Sequence, residues 1–279
     1  MLAVRIALLV LLALGCRTAP EGDRIRVAVS VPPQADLVRR IGGDRVEVEA
    51  LVAPGASDED LSLSPRKAVA LERTDLYVKV GHPAFTVEAR YVDPFLARHP
   101  RVRVVDMSRG MDLHHEEEDD GHGHEGDPHV WVAPKTMTIA ARNIAAALSE
   151  ADPEHAAEYR ANLARFLEDV RRLDSEIRAR LEGGQRSFLV YHPSWGYFAR
   201  QYGLTQIAIE ADGKEPGAAR LIRLIERARQ EGAEVVLVPA GYSRESAQVL
   251  AEAIGGRIVT ADPQSPDWEE TLLRIAEAL

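Results

Sequence analysis

The sequence predicts an α/β protein of two lobes, each with a mainly parallel sheet, joined by one long linker helix. Short runs rich in β-branched residues alternate with stretches of helical periodicity over residues 24–150, and the alternation returns over residues 186–279. Between these regions, residues 152–183 carry apolar residues at three- and four-residue spacing, which indicates a long amphipathic helix. The length of 279 residues fits one large domain or two lobes.

The first lobe is predicted to contain four strands and four helices. The strands are expected at residues 25–31, 46–52, 76–80 and 102–105, and the helices at 35–41, 65–71, 91–98 and 135–148. Residues 111–127 interrupt this pattern, because their histidines and acids leave no apolar face that could join a core. They are predicted to form a mobile loop.

The linker helix has its own start and stop signals. Asp152 is the expected N-terminal cap, Pro153 and Glu154 suit the first turn, and two glycines at 183–184 end the helix. The second lobe then follows, with strands expected at 187–191, 206–210, 235–238 and 257–260 and helices at 218–230, 244–254 and from 267. Sites in such folds form between lobes, at loops that leave the carboxyl ends of strands.

The N-terminus predicts export. Arg5, an apolar run over residues 6–14 and the pair Gly15-Cys16 form a secretory leader that is too short to span a bilayer. Cys16 is the only cysteine, and its place resembles the lipobox of bacterial lipoproteins, in which the thiol is acylated. Residues 1–16 are therefore read as a lipoprotein signal and residues 17–23 as a tether; the alternative is an ordinary signal peptide with an incidental cysteine. The net charge of −10 and the lack of a basic stripe argue against a nucleic-acid partner.

Three side chains at strand ends or stiff turns are candidate metal ligands. His129 lies between two prolines and beside a tryptophan, and His192 follows the first strand of the second lobe next to further aromatic residues. A metal ligand needs a fixed orientation and a shell that restricts water. Asp262 follows another strand of the second lobe and is either an oxygen ligand or the cap of the last helix. Taken singly, each histidine is more readily explained as a satisfied core or turn residue. His99 and His155 are predicted to be solvated.

Seven segments together resemble the zinc/manganese-type solute-binding proteins of bacterial ABC importers. They are VSVPPQ at 29–34, IGGDRV at 41–46, PGAS at 54–57, DPHVW at 127–131, HPSWGYF at 192–198, KEPG at 214–217 and TADP at 260–263. The resemblance implies one metal ion held in the cleft between two lobes and delivered to a membrane permease. By position, it implies that His129, His192 and Asp262 are metal ligands.

The first histidine ligand of that family is replaced here. The position two residues after the Gly-Ala-Ser turn holds Glu59. Three explanations remain open: Glu59 ligates through oxygen, His82 at the end of the third strand takes its place, or the site is degraded or altered in specificity. Glu59 could also be a solvated turn carboxylate, and His82 a histidine at a helix start.

The donor set predicts zinc, with manganese as the alternative. Imidazole and carboxylate both suit zinc, whereas additional oxygen ligands favour manganese. The loop at 111–127 carries four histidines among acids and is predicted to be an auxiliary zinc-collecting segment: His114, His115, His122 and His124. The other reading of this loop is a solvated charge run with incidental histidines.

The predicted function is extracytoplasmic capture of zinc by a monomeric, non-enzymatic binding protein that hands the ion to an ABC importer permease. A lipid anchor would attach it to a membrane at the cell surface or in the periplasm. A zinc-dependent hydrolase is the alternative class, but the sequence lacks a His-Glu-x-x-His pair and a Gly-x-Ser-x-Gly elbow. Adhesion to an extracellular partner is a third class, which the sequence neither supports nor excludes.

Overall fold

The computed structural model describes residues 24–53, 55–56, 64–113, 126–210, 216–239 and 245–279. The predictions for the leader with Cys16, for Glu59 and for the four loop histidines lie outside these ranges. Within them, eight strands form two four-stranded sheets in which every recorded strand pair is parallel. The predicted fold class of two parallel-sheet α/β lobes with a long helix is confirmed.

The first sheet has the strand order β2-β1-β3-β4. Its strands are β1 (Ile25–Val29), β2 (Val46–Ala50), β3 (Leu76–Lys79) and β4 (Arg103–Asp106). The helices of this lobe are α1 (Pro32–Gly42), α2 (Pro65–Glu72), α3 (Asp93–Arg98) and α4 (Pro134–Ala151). Short 3-10 turns lie at Gly43–Arg45 and Val130–Val132, and a π-helical segment at Glu88–Val92 leads directly into α3.

The long helical run consists of a 3-10 turn (Pro153–His155) followed by α5 (Ala156–Arg180), which is 25 residues long. It packs against α1 and α4 on the side of the first lobe and against the last helix of the second lobe. Asp152 occupies the predicted N-cap position of this run, but its side chain makes no capping hydrogen bond. Its carboxylate instead accepts hydrogen bonds from the Tyr159 hydroxyl at 2.7 Å and from Nδ1 of His155 at 2.8 Å.

The second sheet repeats the arrangement of the first, with the order β6-β5-β7-β8. Its strands are β5 (Ser187–Val190), β6 (Thr205–Ala208), β7 (Val235–Val238) and β8 (Arg257–Thr260). The helices are α6 (Gly196–Tyr202), α7 (Ala218–Glu231), α8 (Glu245–Ile254) and α9 (Trp268–Ala278). Among the described residues, no helix has both the length and the apolar character to cross a membrane.

Two histidines outside the candidate site are held by protein partners, so the expectation that they are solvated is wrong. Nδ1 of His99 donates to the Phe95 carbonyl at 2.8 Å, and the two rings stack with centroids 4.1 Å apart. His155 is bonded to Asp152, as described above. Both side chains are partly covered, because each closes the end of a helical segment.

The lobes are packed together along α5. The Arg40 guanidinium of α1 lies 4.6 Å from the ring centroid of Phe166 on α5 and forms ion pairs with Asp169 and with Glu269 of α9. The Trp268 indole of α9 packs against Phe166 at 6.4 Å between ring centroids. One helix from each lobe, α1 and α9, therefore meets the linker helix α5 at this cluster of side chains.

Two hydrophobic cores result from this packing. The main core runs through both lobes and includes α5, α9 and one face of the second sheet. A smaller core lies between the other face of that sheet and the helices α7 and α8. Successive side chains of a strand point to opposite faces of the sheet, so Phe188 of β5 packs in the main core and Leu189 in the smaller one.

A buried carboxyl group ties the carboxyl ends of β1 and β3 together. Glu88 accepts hydrogen bonds from the backbone N–H groups of Val80 at 2.6 Å and Gly81 at 3.0 Å, and from the Ser30 hydroxyl. The Tyr77 hydroxyl is 3.0 Å from the same Ser30 oxygen. Burial raises the pKa of Glu88 above its ordinary value of 4.5, because desolvation penalises the charged carboxylate more than these hydrogen bonds favour it.

This raised pKa predicts how stability depends on pH. The folded protein holds a proton on Glu88 that the unfolded chain has already lost, so the free energy of unfolding should fall as pH rises from about 4.5 through the folded pKa. Glu88→Gln keeps an acceptor oxygen and removes the titration, so this part of the pH dependence should disappear. Urea unfolding at a series of pH values, with a metal chelator present, measures it. Equal pH slopes in the two proteins would show that Glu88 does not titrate in this range.

Candidate metal centre

The candidate ligands lie near the carboxyl ends of the strands in the two sheets. His192 and Asp262 each come two residues after a strand of the second lobe, β5 and β8 respectively. In the first lobe, Gly55 follows β2 and His82 follows β3, while His129 begins the 3-10 turn that leads into α4. Because the strands are parallel, all these segments leave the carboxyl ends of their sheets, where sites form in such folds.

His129 is held by a carboxylate two residues earlier in the chain. Oδ1 of Asp127 accepts hydrogen bonds from the His129 backbone N–H at 2.8 Å and from its ring Nδ1 at 2.7 Å. The His129 residue is only 2% exposed, and its ring makes an edge contact with Trp131 at 5.2 Å between centroids. With the proton on Nδ1, Nε2 carries the lone pair that a metal ion requires.

His192 has the same kind of partner on a neighbouring strand. Its Nδ1 is hydrogen-bonded to Oε1 of Glu210, which is buried. β5 and β6 are paired in register, with Val190 opposite Ala208. The histidine and the glutamate are thus each two residues beyond their strands, which places them side by side. This bond also leaves the lone pair on Nε2.

Sequence reasoning missed these two carboxylates as partners of the histidines. Asp127 lies within the DPHVW segment, and its spacing of two residues from His129 is that of an Asx turn. Glu210 was assigned only to the end of a strand. Its parallel pairing with β5, once known, is the signal that would have linked it to His192.

The structure brings the two histidines together across the lobes. Their ring centroids are 5.3 Å apart and the ring planes are inclined by 74°. Two imidazoles that bind one tetrahedral zinc through Nε2, with Zn–N bonds of about 2.0 Å, place their ring centres about 5 Å apart. The observed separation therefore fits two ligands of a single ion.

Asp262 lies at the same junction between lobes. A Cβ atom built on Gly55 would be 4.0 Å from Oδ2 of Asp262, so the turn that precedes Glu59 faces this carboxylate. Oδ1 of Asp262 accepts a hydrogen bond from the Gln264 backbone N–H at 2.8 Å. Asp262 is not the cap of the last helix, because α9 begins after Asp267.

The two alternatives for a further ligand differ in what the structure describes. Glu59 lies in the segment 57–63, outside the described residues. His82 is 3% exposed, and its Nδ1 accepts a hydrogen bond from the Ala84 backbone N–H at 3.1 Å. A backbone N–H can only donate, so the neutral His82 ring carries its proton on Nε2. That tautomer is the opposite of the one that the carboxylates favour in His129 and His192.

Within the described part of the chain, no group of three or more histidine, cysteine, aspartate and glutamate side chains is arranged to hold an ion. Among the described residues, His129 and His192 are two members of the predicted ligand set that the structure brings into contact.

Comparisons with known proteins identify relatives of this chain. The family model described as zinc-uptake complex component A, periplasmic, matches residues 27–277. The zinc-binding protein AdcA of Streptococcus pyogenes serotype M3 is 27% identical over 261 residues, which cover 86% of this chain and 50% of AdcA. The high-affinity zinc uptake system protein ZnuA of Bacillus subtilis is 26% identical over 255 residues, which cover 85% of this chain and 77% of that protein. This chain thus spans about half the length of the AdcA proteins that it matches.

Solved structures show the same relationship in three dimensions. A crystal structure of ZnuA superposes with a TM-score of 0.83 and 34% sequence identity, and the match covers 91% of this chain and 97% of that one. A ZnuA deletion mutant with zinc bound gives the same TM-score and identity, and the match covers 91% of this chain and 96% of the mutant. The family match extends over most of the chain, and the two-lobed structure agrees with it. The chain belongs to the family of the periplasmic component A of zinc-uptake complexes.

Proposed function

We propose that this protein captures a zinc ion outside the cytoplasm, in the cleft between its two lobes, and delivers it to an ABC importer permease. The observation that carries the proposal is the placement of His129 and His192, one from each lobe, at the separation expected for two ligands of one zinc ion. The zinc ion is the cargo of the protein rather than a resident cofactor.

The buried carboxylates support this assignment. Asp127 and Glu210 fix the ring orientations of the two imidazoles through Nδ1, as outer partners of zinc-bound histidines do. A zinc ion bound by two imidazoles and two carboxylates would be electrically neutral at the ligand set. We assign Asp262 as the third ligand, since it faces the Gly55 turn across the cleft.

We assign Glu59 rather than His82 as the fourth ligand. Glu59 follows the Gly55 turn by four residues, and that turn already approaches Asp262. His82 would have to give up the hydrogen bond from Ala84 or lose a second proton to bind through Nε2. The names of the relatives, which are zinc-binding and zinc-uptake proteins, favour zinc over manganese for this donor set.

Glu210, the carboxylate that is hydrogen-bonded to His192, offers a test that leaves both proposed histidine ligands in place. Glu210→Gln removes the negative charge and should lower zinc affinity about 10- to 100-fold, the range known for outer partners of zinc ligands. Competition against a chromophoric chelator measures the change. The matched control is Glu226→Gln on the exposed face of α7, which should bind like the wild type. Wild-type affinity in Glu210→Gln would remove Glu210 from the proposed site.

The histidine- and acid-rich segment is proposed as an auxiliary zinc collector. Asp127 holds His129, so a clean deletion must spare it and remove only residues 114–125. Equilibrium dialysis should then show less total zinc bound but one tight equivalent retained, because the two histidines and their partners remain. Loss of the tight equivalent would show that the segment supplies a ligand to the cleft.

The location and the partner complete the proposal. We infer that residues 1–16 are a lipoprotein leader, that Cys16 carries the lipid anchor, and that residues 17–23 tether a monomeric binding protein to a membrane. The protein acts by binding rather than catalysis, which agrees with relatives named for zinc binding and uptake.

The function is tested by zinc titration and by zinc-limited growth. The purified chain should bind one tight equivalent of zinc and prefer it to manganese in direct competition. Expressed with its cognate permease in cells that lack their own zinc-binding protein, it should restore growth at low zinc, and His192→Ala should not. Tighter manganese binding would change the assigned cargo. Metal-dependent turnover of ester, peptide or phosphate substrates would replace transport with hydrolysis.

A further inference from the structure

Trp131 connects the two lobes at the candidate metal centre. Its side chain is fully buried in the 3-10 turn that follows His129. The indole Nε1–H donates a hydrogen bond of 2.8 Å to the carbonyl oxygen of Pro263, 132 residues further along the chain and in the second lobe. This hydrogen bond therefore crosses the boundary between the lobes.

Both ends of this connection adjoin a proposed ligand. On the first-lobe side, the Trp131 ring makes an edge contact with the His129 imidazole, with ring centroids 5.2 Å apart. On the second-lobe side, Pro263 is the residue next to Asp262, whose Oδ1 accepts the Gln264 backbone N–H. The Pro263 carbonyl thus lies inside the turn that fixes the Asp262 carboxylate.

The orientation of the Trp131 ring is also constrained by its contact with Phe85. Phe85, which is 3% exposed, meets the Trp131 ring in a T-shaped contact at 5.8 Å between centroids. A buried indole needs an acceptor for its N–H group, and the acceptor here belongs to the other lobe. The ring position, the donor direction and the acceptor are therefore all determined by packing, which is the condition for transmitting a fixed spacing.

The geometry points to Trp131 as a positioning residue that fixes the spacing between the His129 turn and the Asp262 turn before the metal ion arrives. This inference rests on the function proposed above. A cleft whose ligands are already spaced needs less rearrangement on binding, so the bound ion should leave slowly. Trp131 contacts no metal ion in this scheme and acts through the two turns.

Two matched substitutions test the role. Trp131→Phe keeps an aromatic ring and removes only the N–H donor. Trp268→Phe is the control. The Trp268 indole also donates a hydrogen bond across the lobes, to Oδ2 of Asp36 at 3.1 Å. This bond joins α9 to α1 and involves neither of the turns that hold the proposed ligands. Zinc release into excess chelator is followed by stopped flow, and bound cobalt is examined by its visible absorption, which reports coordination geometry.

We expect Trp131→Phe to release zinc about tenfold faster, which corresponds to the loss of one buried hydrogen bond. Its cobalt spectrum should differ from that of the wild type. Trp268→Phe should match the wild type in both measurements, even if its thermal stability is lower. Equal release rates and spectra for Trp131→Phe and the wild type would overturn the inference. Equal changes in both variants would also overturn it, because a general loss of rigidity would then explain them.

A metal-free measurement separates this inference from the proposed function. In metal-free protein labelled with 15N at tryptophan and histidine, the Trp131 indole N–H should exchange slowly with solvent, and Trp131→Phe should shift the ring signals of His129 and His192. If the wild type binds no zinc while these results are obtained, the proposed function fails but the coupling of the turns stands. Fast indole exchange with unshifted histidine signals would overturn the coupling itself.

Discussion

Replacing either His129 or His192 by alanine will lower zinc affinity by more than about 100-fold, since even an outer partner of a zinc-bound histidine contributes about 10- to 100-fold. Each substitution would remove one of two imidazoles that stand 5.3 Å apart between their centroids and leave the ion under-coordinated. Both substitutions should have a second effect, because each leaves a buried carboxylate, Asp127 or Glu210, without its ring partner. A loss of stability in the metal-free protein is therefore expected for both variants.

The measurement is a zinc competition titration on the wild type and both variants. His99→Ala is the matched control, since His99 is a partly covered histidine of the first lobe that stacks on Phe95 away from the cleft. It should bind zinc with wild-type affinity. Unchanged binding in both His129→Ala and His192→Ala would show that the tight site lies elsewhere in the chain.

Phe166→Ala should lower the free energy of unfolding by about 3–5 kcal/mol, the range for removing a large aromatic side chain from a core. Phe166 is 1% exposed on α5, under the Arg40 guanidinium and beside the Trp268 ring. The cavity would lie where α1, α5 and α9 meet, so the packing between the lobes would weaken. Arg40 would also lose the aromatic face that covers its charge.

Urea unfolding in the presence of a metal chelator measures this effect without a contribution from bound zinc. Ile222→Ala provides the comparison, because Ile222 is an apolar helix residue that is 58% exposed, and its loss should change stability by less than about 0.5 kcal/mol. A similar small change in Phe166→Ala would mean that the lobes are held together by other contacts.

The sequence was sufficient to predict the fold because its signals are local. β7 and β8 were predicted at the residues that the structure shows, and α7 ends one residue beyond its predicted end. Their apolar periodicity and flanking glycines or charges identify them without tertiary information. The role of the Asp152 side chain before α5 was harder to predict. Its carboxylate accepts hydrogen bonds from Tyr159 and His155, and this choice of partners depends on packing rather than on the cap pattern of the sequence.

The candidate site was predictable only in part. His129 and His192 stand out in short motifs, and their approach follows from the carboxyl ends of two parallel sheets. Their partners could not be ranked from the sequence, because Glu210 becomes adjacent to His192 only through strand pairing. The Trp131 bond to Pro263 spans 132 residues, a separation over which local patterns carry no information. The tautomer of His82 is likewise set by one backbone contact.

The division of the second lobe between two cores has a consequence for the local unfolding of that lobe. The helices α7 and α8 rest on the smaller core alone, whereas the opposite face of the same sheet is continuous with α5, α9 and the first lobe. These outer helices can therefore unfold as a unit at a lower free energy than the whole chain, while the strands that bear His192 and Asp262 remain anchored from the other face. We therefore expect local unfolding of this lobe to begin at its outer surface rather than at the cleft.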